Sequence, residues 1–325
     1  MARAHEPTDV TVDHVEVHGA RTRITHVESI AEGSPPSFIL VAGVGVAASY
    51  FEFLAPILAR HGQVFALDLP GFAGMPRPDD QPTAAYFADH VEAVIEKFAL
   101  ENPVLIGHSM GTQIVTEVLH RRTELSHGVL VSPVVNDREA APQKVALRFG
   151  QSATKESMHV ALMALSAYLL CGVVYFLTVL PHLLRYRLVD RIADVEASIL
   201  LIRGEFDTTS PRRFHSRLVD AASRSRRWEI LGASHSIING HAVGVADLVL
   251  RHIGDELPQR GQLTSEEASV PPARHSDVAM VWNAAMTRAA EWFSALRGDE
   301  RGVARAKLAH ARILWRAYSP GRSAG

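Results

Sequence analysis

The sequence predicts an α/β fold: a mostly parallel central sheet with helices on both faces, a helical cap insertion and a C-terminal helical extension. Three observations lead there. Short apolar runs rich in Val, Ile and Leu alternate with stretches of helical period, the pattern of strands connected by covering helices. After the run ending at Ser132-Pro133, the next clear strand begins only near Ala197, too far for an ordinary connection. Beyond about residue 255 the strand–helix alternation stops, yet helix-forming sequence continues.

Each element follows in order. Val10 to Val27 alternates around Gly19, which predicts a β-hairpin. Strands are expected near 38–42, 63–67, 103–107 and 127–132, with helices near 49–60 and 83–99 between them. Strands at 197–202 and 228–231 complete a core over 1–133 and 193–255. The insertion, 134–192, reads as a helical cap above the carboxyl edge of the sheet. Its run from Val160 to Leu180 carries no charge, and Gly172 and Pro181 mark breaks in it. The first expectation is a helix pair lining an apolar pocket, with Leu169, Tyr175 and Phe176 as pocket residues. Core packing or a homodimer contact is the first alternative, and a loop dipping into a membrane surface the second. A transmembrane span is discounted, because it would place two parts of one sheet on opposite sides of a bilayer. Residues 256–275, rich in Pro, Ser, Gln and Glu, read as a linker. The extension, 276–325, starts with Ser276 or Asp277 as N-cap. Val278, Val281, Trp282, Ala285, Met286, Ala289, Trp292, Phe293 and Leu296 share one face of its first helix, which Gly298 ends. Such a stripe is expected to pack on its own domain or on a second subunit. The following helix, Val303 to Tyr318, carries Arg305, Lys307, Arg312 and Arg316, a charge pattern also suited to an acidic partner or membrane surface.

The segment Val104-Leu-Ile-Gly-His-Ser-Met-Gly111 carries the chemistry. An apolar run enters Gly107-His108-Ser109-Met110-Gly111, and a helical stretch follows. A serine is a weak nucleophile until a base takes its proton, and it must stand clear of the backbone to be reached. A sharp strand-to-helix turn does this, and the glycines two residues to either side leave room for it. The Met110 amide, opening the helix, then points toward the oxygen that gains charge. Two partners follow in order. Asp207 lies in Gly204-Glu-Phe-Asp-Thr-Thr-Ser-Pro211, just past the strand 197–202. His235 lies in Gly232-Ala-Ser-His-Ser236, just past the strand 228–231. Open α/β sheets place their sites at such carboxyl ends.

With these motifs the chain resembles the α/β-hydrolase-fold family, in its serine-nucleophile, esterase- and lipase-like branch with a helical cap, over roughly residues 10–255. Ser37-Phe-Ile-Leu-Val-Ala-Gly-Val-Gly45 is similar to the family's strand and oxyanion loop, and Val64 to Met75 to its D-x-x-G-x-G-x-S loop. The resemblance implies a Ser109–His235–Asp207 triad and an oxyanion hole made by the amides of Met110 and Val44. Ala42 stands where the family usually has histidine, and Met75 where it usually has serine. Asp137, after the strand ending at Ser132, is the alternative acid, because some members place it there.

Composition fits a globular enzyme. The chain has 325 residues and is 47% hydrophobic. A formal net charge of −2 argues against a general nucleic-acid surface. The single cysteine, Cys171, sits in an apolar run and reads as a buried hydrophobe. The start of the chain shows no secretory pattern, so a cytoplasmic location is the expectation. The seventeen histidines include no close pair with an acid at ligand spacing, and Gly43 and Gly45 lack a third glycine, so neither metal nor dinucleotide cofactor is expected. His108 is read as a packing residue, His215 and His241 as solvated or capping, and Asp68 as fixing its turn.

The resulting expectation is a serine hydrolase that cleaves a carboxylic ester with a hydrophobic moiety, the small-molecule substrate being its partner. The same triad also serves lactone, thioester, amide or carbon–carbon bond hydrolysis, or acyl transfer. From other classes, a non-catalytic binder of an apolar ligand and a scaffold acting through the C-terminal helices are the alternatives.

Overall fold

The computed structural model describes residues 10–136, 138, 141–156, 158–270 and 278–318. Its strands are β1 (Val10–Val17), β2 (Ala20–Val27), β3 (Ser37–Val41), β4 (Gln63–Asp68), β5 (Val104–His108), β6 (His127–Val131), β7 (Ser198–Gly204), β8 (Ser225–Ile230) and β9 (Arg260–Leu263). They form one sheet in the order β1-β2-β4-β3-β5-β6-β7-β8-β9. β2 runs antiparallel to both of its neighbours, and every other pairing from β4 to β9 is parallel. The hairpin turns at His18-Gly19, both at positive φ, the geometry that matches the twist of the flanking strands.

The central strands are apolar throughout because both faces are covered. Ile39, Val41, Phe65, Leu67 and Leu105 point into one core, and Phe38, Leu40, Val64, Ala66 and Ile106 into the other. This is the period-two alternation of a strand expressed in two hydrophobic layers. The first layer is closed by α2 (Ala84–Lys97) and α3 (Gly111–Arg121). The second is closed by α1 (Leu54–Leu58), which follows a 3-10 turn at Ala48–Phe51, and by α10 (Ala242–Ile253).

Between β6 and β7 come α4 (Pro142–Ala153), α5 (Met158–Cys171), α6 (Val173–Arg185) and α7 (Leu188–Ala193). The charge-free run divides at Gly172, at φ 75°, but Pro181 lies inside α6 and ends nothing. The carbonyl a proline frees there belongs to Leu177, on the exposed side of the helix. α7 is not part of the roof: Leu188 and Ile192 are buried in the first core beside α3 and α8 (Arg212–Ala221). No helix among the described residues is long and apolar enough to cross a membrane.

Two sequence expectations change here. The segment 256–275 is not all linker. It supplies the edge strand β9, which pairs with β8, and α11 (Ser265–Ala268), started by a Thr264–Glu267 capping box. Gly261 permits the pairing because a Cβ there would lie 2.4 Å from the Trp228 ring. The strand is four residues long, with exposed and half-buried residues alternating, so polar composition masks it. The second change concerns α12 (Val278–Leu296), which forms a hairpin with α13 (Glu300–Tyr318). Trp282, Met286, Phe293 and Leu296 of the apolar stripe face outward, all more than half exposed. Glu291 and Ala295 face inward instead, because the surface beneath α12 offers buried charges as partners. The proposed caps Ser276 and Asp277, and the side chains of Val278 and Val281, lie outside the described residues.

Candidate active site

The sequence-predicted nucleophile sits at the carboxyl edge of β5, with Ser109 at φ 55°. Left-handed backbone is costly for a residue with a Cβ and persists only when its surroundings fix it. The glycines show why this turn needs them. A Cβ at Gly107 would lie 2.3 Å from the Gly111 carbonyl oxygen, and one at Gly111 2.1 Å from that of Val41. The serine amide donates to the Val131 carbonyl at 3.0 Å, which pins the turn to β6. The loop after β3 closes over it: a Cβ at Gly43 would lie 3.4 Å from Ser109 Oγ. Among the described residues, neither the Val44 nor the Met110 amide donates to a backbone carbonyl. Ala42 is buried in the apolar layer behind this loop.

Asp207 and His235 meet at the edges of β7 and β8. The Asp207 Oδ2–His235 Nδ1 distance is 3.0 Å, and both residues are buried. The other carboxylate oxygen accepts from the Thr209 amide at 3.0 Å, its hydroxyl at 2.6 Å and the Ser210 amide at 3.1 Å. Burial alone would raise the Asp207 pKa, but the His235 charge and these hydrogen bonds hold it well below the usual carboxylate range. Burial alone would lower His235, but the Asp207 carboxylate outweighs it and leaves the imidazole above its ordinary value. Asp137, the alternative acid, lies outside the described residues.

Several residues without a motif hold this pair. Thr209 Oγ1 also lies 2.8 Å from His235 Nδ1. Arg203 donates to the carbonyls of Ser210, Glu205 and Asp207, so one buried guanidinium shapes the whole acid loop. His108, read as mere packing, donates from Nε2 to the His235 carbonyl at 3.0 Å. Burial and the neighbouring His235 push its pKa down to about 3, so it is a neutral imidazole with a fixed tautomer. Ser132 Oγ donates to the same carbonyl at 3.0 Å. His235 Nε2, by contrast, is buried with no hydrogen-bond partner among the described groups. His215 is not solvated: it is buried against Ser210 Oγ at 3.1 Å.

Ser109 and His235 border one cavity of about 340 Å³. Val46, Phe149, Val160, Tyr168 and Phe176 give it an apolar wall, and Tyr50, Glu156 and Ser236 a polar corner. In that corner the Tyr50 hydroxyl donates to Ser236 Oγ, and Glu156 accepts from the Ser236 amide at 2.9 Å. Only Phe176 of the three expected pocket residues lines the cavity. Leu169 is 74% exposed on the outer face of α5. Tyr175 turns away to donate to the Pro70 carbonyl at 3.0 Å, with its ring against Phe72. Helical rotation of about 100° per residue is the reason, since Tyr175 and Phe176 cannot share a direction. Cys171 is buried, and burial raises its thiol to about 11.

A family model described as the alpha/beta hydrolase family matches residues 38–248, more than half of the chain. The chain belongs to the α/β-hydrolase family. Its C-terminal hairpin lies beyond the matched residues. Among solved structures the chain is similar to an esterase from Rhodococcus sp., at 16% identity and a TM-score of 0.63, covering 76% of this chain and 100% of that one. It is also similar to an enol-lactonase from Burkholderia xenovorans, at 17% identity and a TM-score of 0.60, covering 74% and 100%. Identities this low establish the shared fold alone. A probable 1-acylglycerol-3-phosphate O-acyltransferase from Oryza sativa subsp. japonica is 30% identical over 109 residues, which are 32% of this chain and 26% of that protein. The match thus spans about a quarter of that relative's length.

Proposed function

We propose that this α/β-hydrolase is a serine hydrolase that cleaves carboxylic esters with a hydrophobic moiety through an acyl-enzyme. The observation that carries the reading is the arrangement of His235. Its Nδ1 is held by Asp207, while its Nε2 has no partner at the wall of a mainly apolar cavity that also holds Ser109. In this reading His235 takes the Ser109 proton as Oγ attacks the carbonyl carbon, and the amides of Met110 and Val44 hold the oxyanion. The imidazolium returns the proton to the leaving alcohol, and water then releases the acid by the same steps. A non-catalytic binder would not need an imidazole oriented by a buried carboxylate at the wall it shares with Ser109. Acyl transfer to an alcohol is the second reading, favoured by the local likeness to the plant acyltransferase. Product analysis with and without a 1-acylglycerol 3-phosphate acceptor separates the two.

The test is a series of p-nitrophenyl esters of increasing acyl length, with lactones and thioesters beside them and a fluorophosphonate probe to report an activated serine. Each buried methylene contributes about 0.8 kcal/mol, so three added carbons raise kcat/KM by roughly 10–50-fold before the cavity fills. Phe176→Asp erodes that preference and Leu169→Asp, on the outer face, leaves it intact. A flat profile in the unmodified enzyme overturns the apolar-pocket assignment.

The polar corner makes a second expectation. The cavity wall carries one carboxylate, Glu156, and no lysine or arginine among its described lining residues. An acyl group ending in a carboxylate meets a like charge at low dielectric. The p-nitrophenyl hemiester of succinic acid is therefore expected to be a substrate at least about tenfold poorer than the butyrate ester. Glu156→Gln narrows that gap mainly by improving the hemiester. An unchanged ratio of the two kcat/KM values would place the acyl chain away from Glu156.

A further inference from the structure

The C-terminal hairpin turns its charges inward. Arg288 and Glu291 lie one turn apart on α12, and Glu300, Lys307 and His310 share a face of α13. They meet three residues of the catalytic domain: Arg23 in β2, Glu52 after the 3-10 turn, and Asp68 at the end of β4. Arg23 donates two parallel bonds to Glu300, each 2.8 Å, and one to Asp68 at 3.0 Å. Lys307 Nζ lies 2.9 Å from Glu291 and 3.5 Å from Asp68. Arg288 joins Glu291 to Glu52 at 2.6 Å on each side, and His310 Nε2 lies 2.9 Å from Glu52.

Stability alone does not account for this choice of face. Burying Trp282, Met286, Phe293 and Leu296 would gain hydrophobic free energy outright. Burying ion pairs costs desolvation that their attraction about offsets. What a buried ionic network supplies is one fixed arrangement of its members, because every broken contact leaves a charge stranded. The members fixed here bear on the active site. Asp68 Oδ1 accepts the Ala48 amide at 2.6 Å. The Glu52 amide donates to the Ser49 carbonyl at 3.1 Å, and its carboxylate lies 3.5 Å from Asn239 Nδ2 in α9 (Ile237–Gly240), the helix that follows His235. Between Ala48 and Glu52 sits Tyr50, which donates to Ser236 beside His235. The two acids therefore bracket the segment that continues directly from the loop Gly43–Val46.

We propose that the α12–α13 hairpin is a positioning device for the oxyanion loop. Its charges clamp Asp68 and Glu52, and these hold residues 43–52 so that the Val44 amide stays aimed at the reacting oxygen. The inference rests on the assignment of Ser109 and Val44 under the proposed function. Asp68 and Glu52 act through that segment and touch no substrate.

The 325-residue chain tests it with Lys307→Met and Arg288→Met. The readouts are kcat, KM and the inhibition constants of two ligands of equal chain length. One is a trifluoromethyl ketone, whose carbonyl carbon bonds Ser109 Oγ while its oxygen becomes the oxyanion and His235 takes the proton. The other is the matching secondary alcohol, which forms no oxyanion. Misaiming one donor by a fraction of an ångström is expected to lower kcat roughly 10–100-fold and weaken the ketone by the same factor. KM and alcohol affinity should stay within about threefold. A merely structural hairpin would lower the folded fraction and leave all constants of the folded enzyme alike; that result, or unchanged kcat in a folded variant, overturns the proposal. If Lys307→Met does not fold, Glu300→Gln, partly exposed, decides it by the same ratios. An unmodified enzyme that neither reacts with fluorophosphonate nor binds the ketone sinks the hydrolase reading itself. A reactive enzyme with unaffected variants sinks only the positioning role.

Discussion

Ser109→Ala is expected to remove ester turnover and fluorophosphonate labelling together while the protein stays folded. The substitution deletes one oxygen at the edge of the cavity and leaves Gly107 and Gly111 to keep the turn. The left-handed backbone at position 109 costs alanine about what it costs serine, so stability should change by less than about 1 kcal/mol. Loss of a triad nucleophile lowers turnover on the order of 10⁴-fold or more, with residual catalysis from the oxyanion donors and binding alone. Purified variant protein, assayed at high concentration beside its circular dichroism spectrum, gives the answer. Wild-type turnover in a folded Ser109→Ala enzyme would sink the mechanism.

Asp207→Asn carries the second largest effect and also a change in pH dependence. A neutral amide cannot stabilise the imidazolium and permits the wrong tautomer, so kcat is expected to fall roughly 10⁴-fold. The base works only when neutral, so activity declines as pH falls through the His235 pKa. In the native enzyme burial pulls that pKa down but the Asp207 charge more than compensates, placing the acid limb above the ordinary imidazole value. Without the carboxylate, burial is opposed by the smaller effect of the Glu156 charge, and the limb moves to lower pH. The pairing also has a stability signature. The His235 contribution is complete below the ordinary imidazole pKa and is lost as pH rises through the raised folded value. The Asp207 contribution is present above the ordinary carboxylate pKa and is lost as pH falls through the depressed folded value. Asp137→Asn should move neither the plateau nor the limb. A profile that shifts with Asp137 instead would transfer the acid role to that residue and leave Ser109 and His235 in place.

The strands and the order of the site residues were legible because they depend on local chemistry. A strand buried on both faces needs a continuous apolar run, and β3, β4, β5 and β6 have one. A serine raised on a strand-to-helix turn needs glycine on either side, and the close approaches at Gly107 and Gly111 make that a steric requirement. Asp207 and His235 could be singled out because each follows a recognisable strand. Their supports could not. Thr209, Glu156 and Arg203 have common side chains in ordinary contexts. What distinguishes Thr209 is a hydroxyl within reach of both Asp207 and His235, which depends on how the ends of β7 and β8 lie together. His108 gained its role the same way, through a carbonyl 127 residues away in sequence.

The sequence by itself determined eight of the nine described strands, the turn that raises Ser109 and the chain order of Ser109, Asp207 and His235, because glycine sterics, strand alternation and strand-end position act over a few neighbouring residues. Only the tertiary structure decided which side of each helix faces the protein. A helical period fixes the angles between side chains, not the direction of the whole face. Phe176 therefore lines the cavity while Leu169 and Tyr175 do not. The same freedom inverts α12, whose apolar stripe looks outward because Glu52, 236 residues away, waits beneath it to receive Arg288.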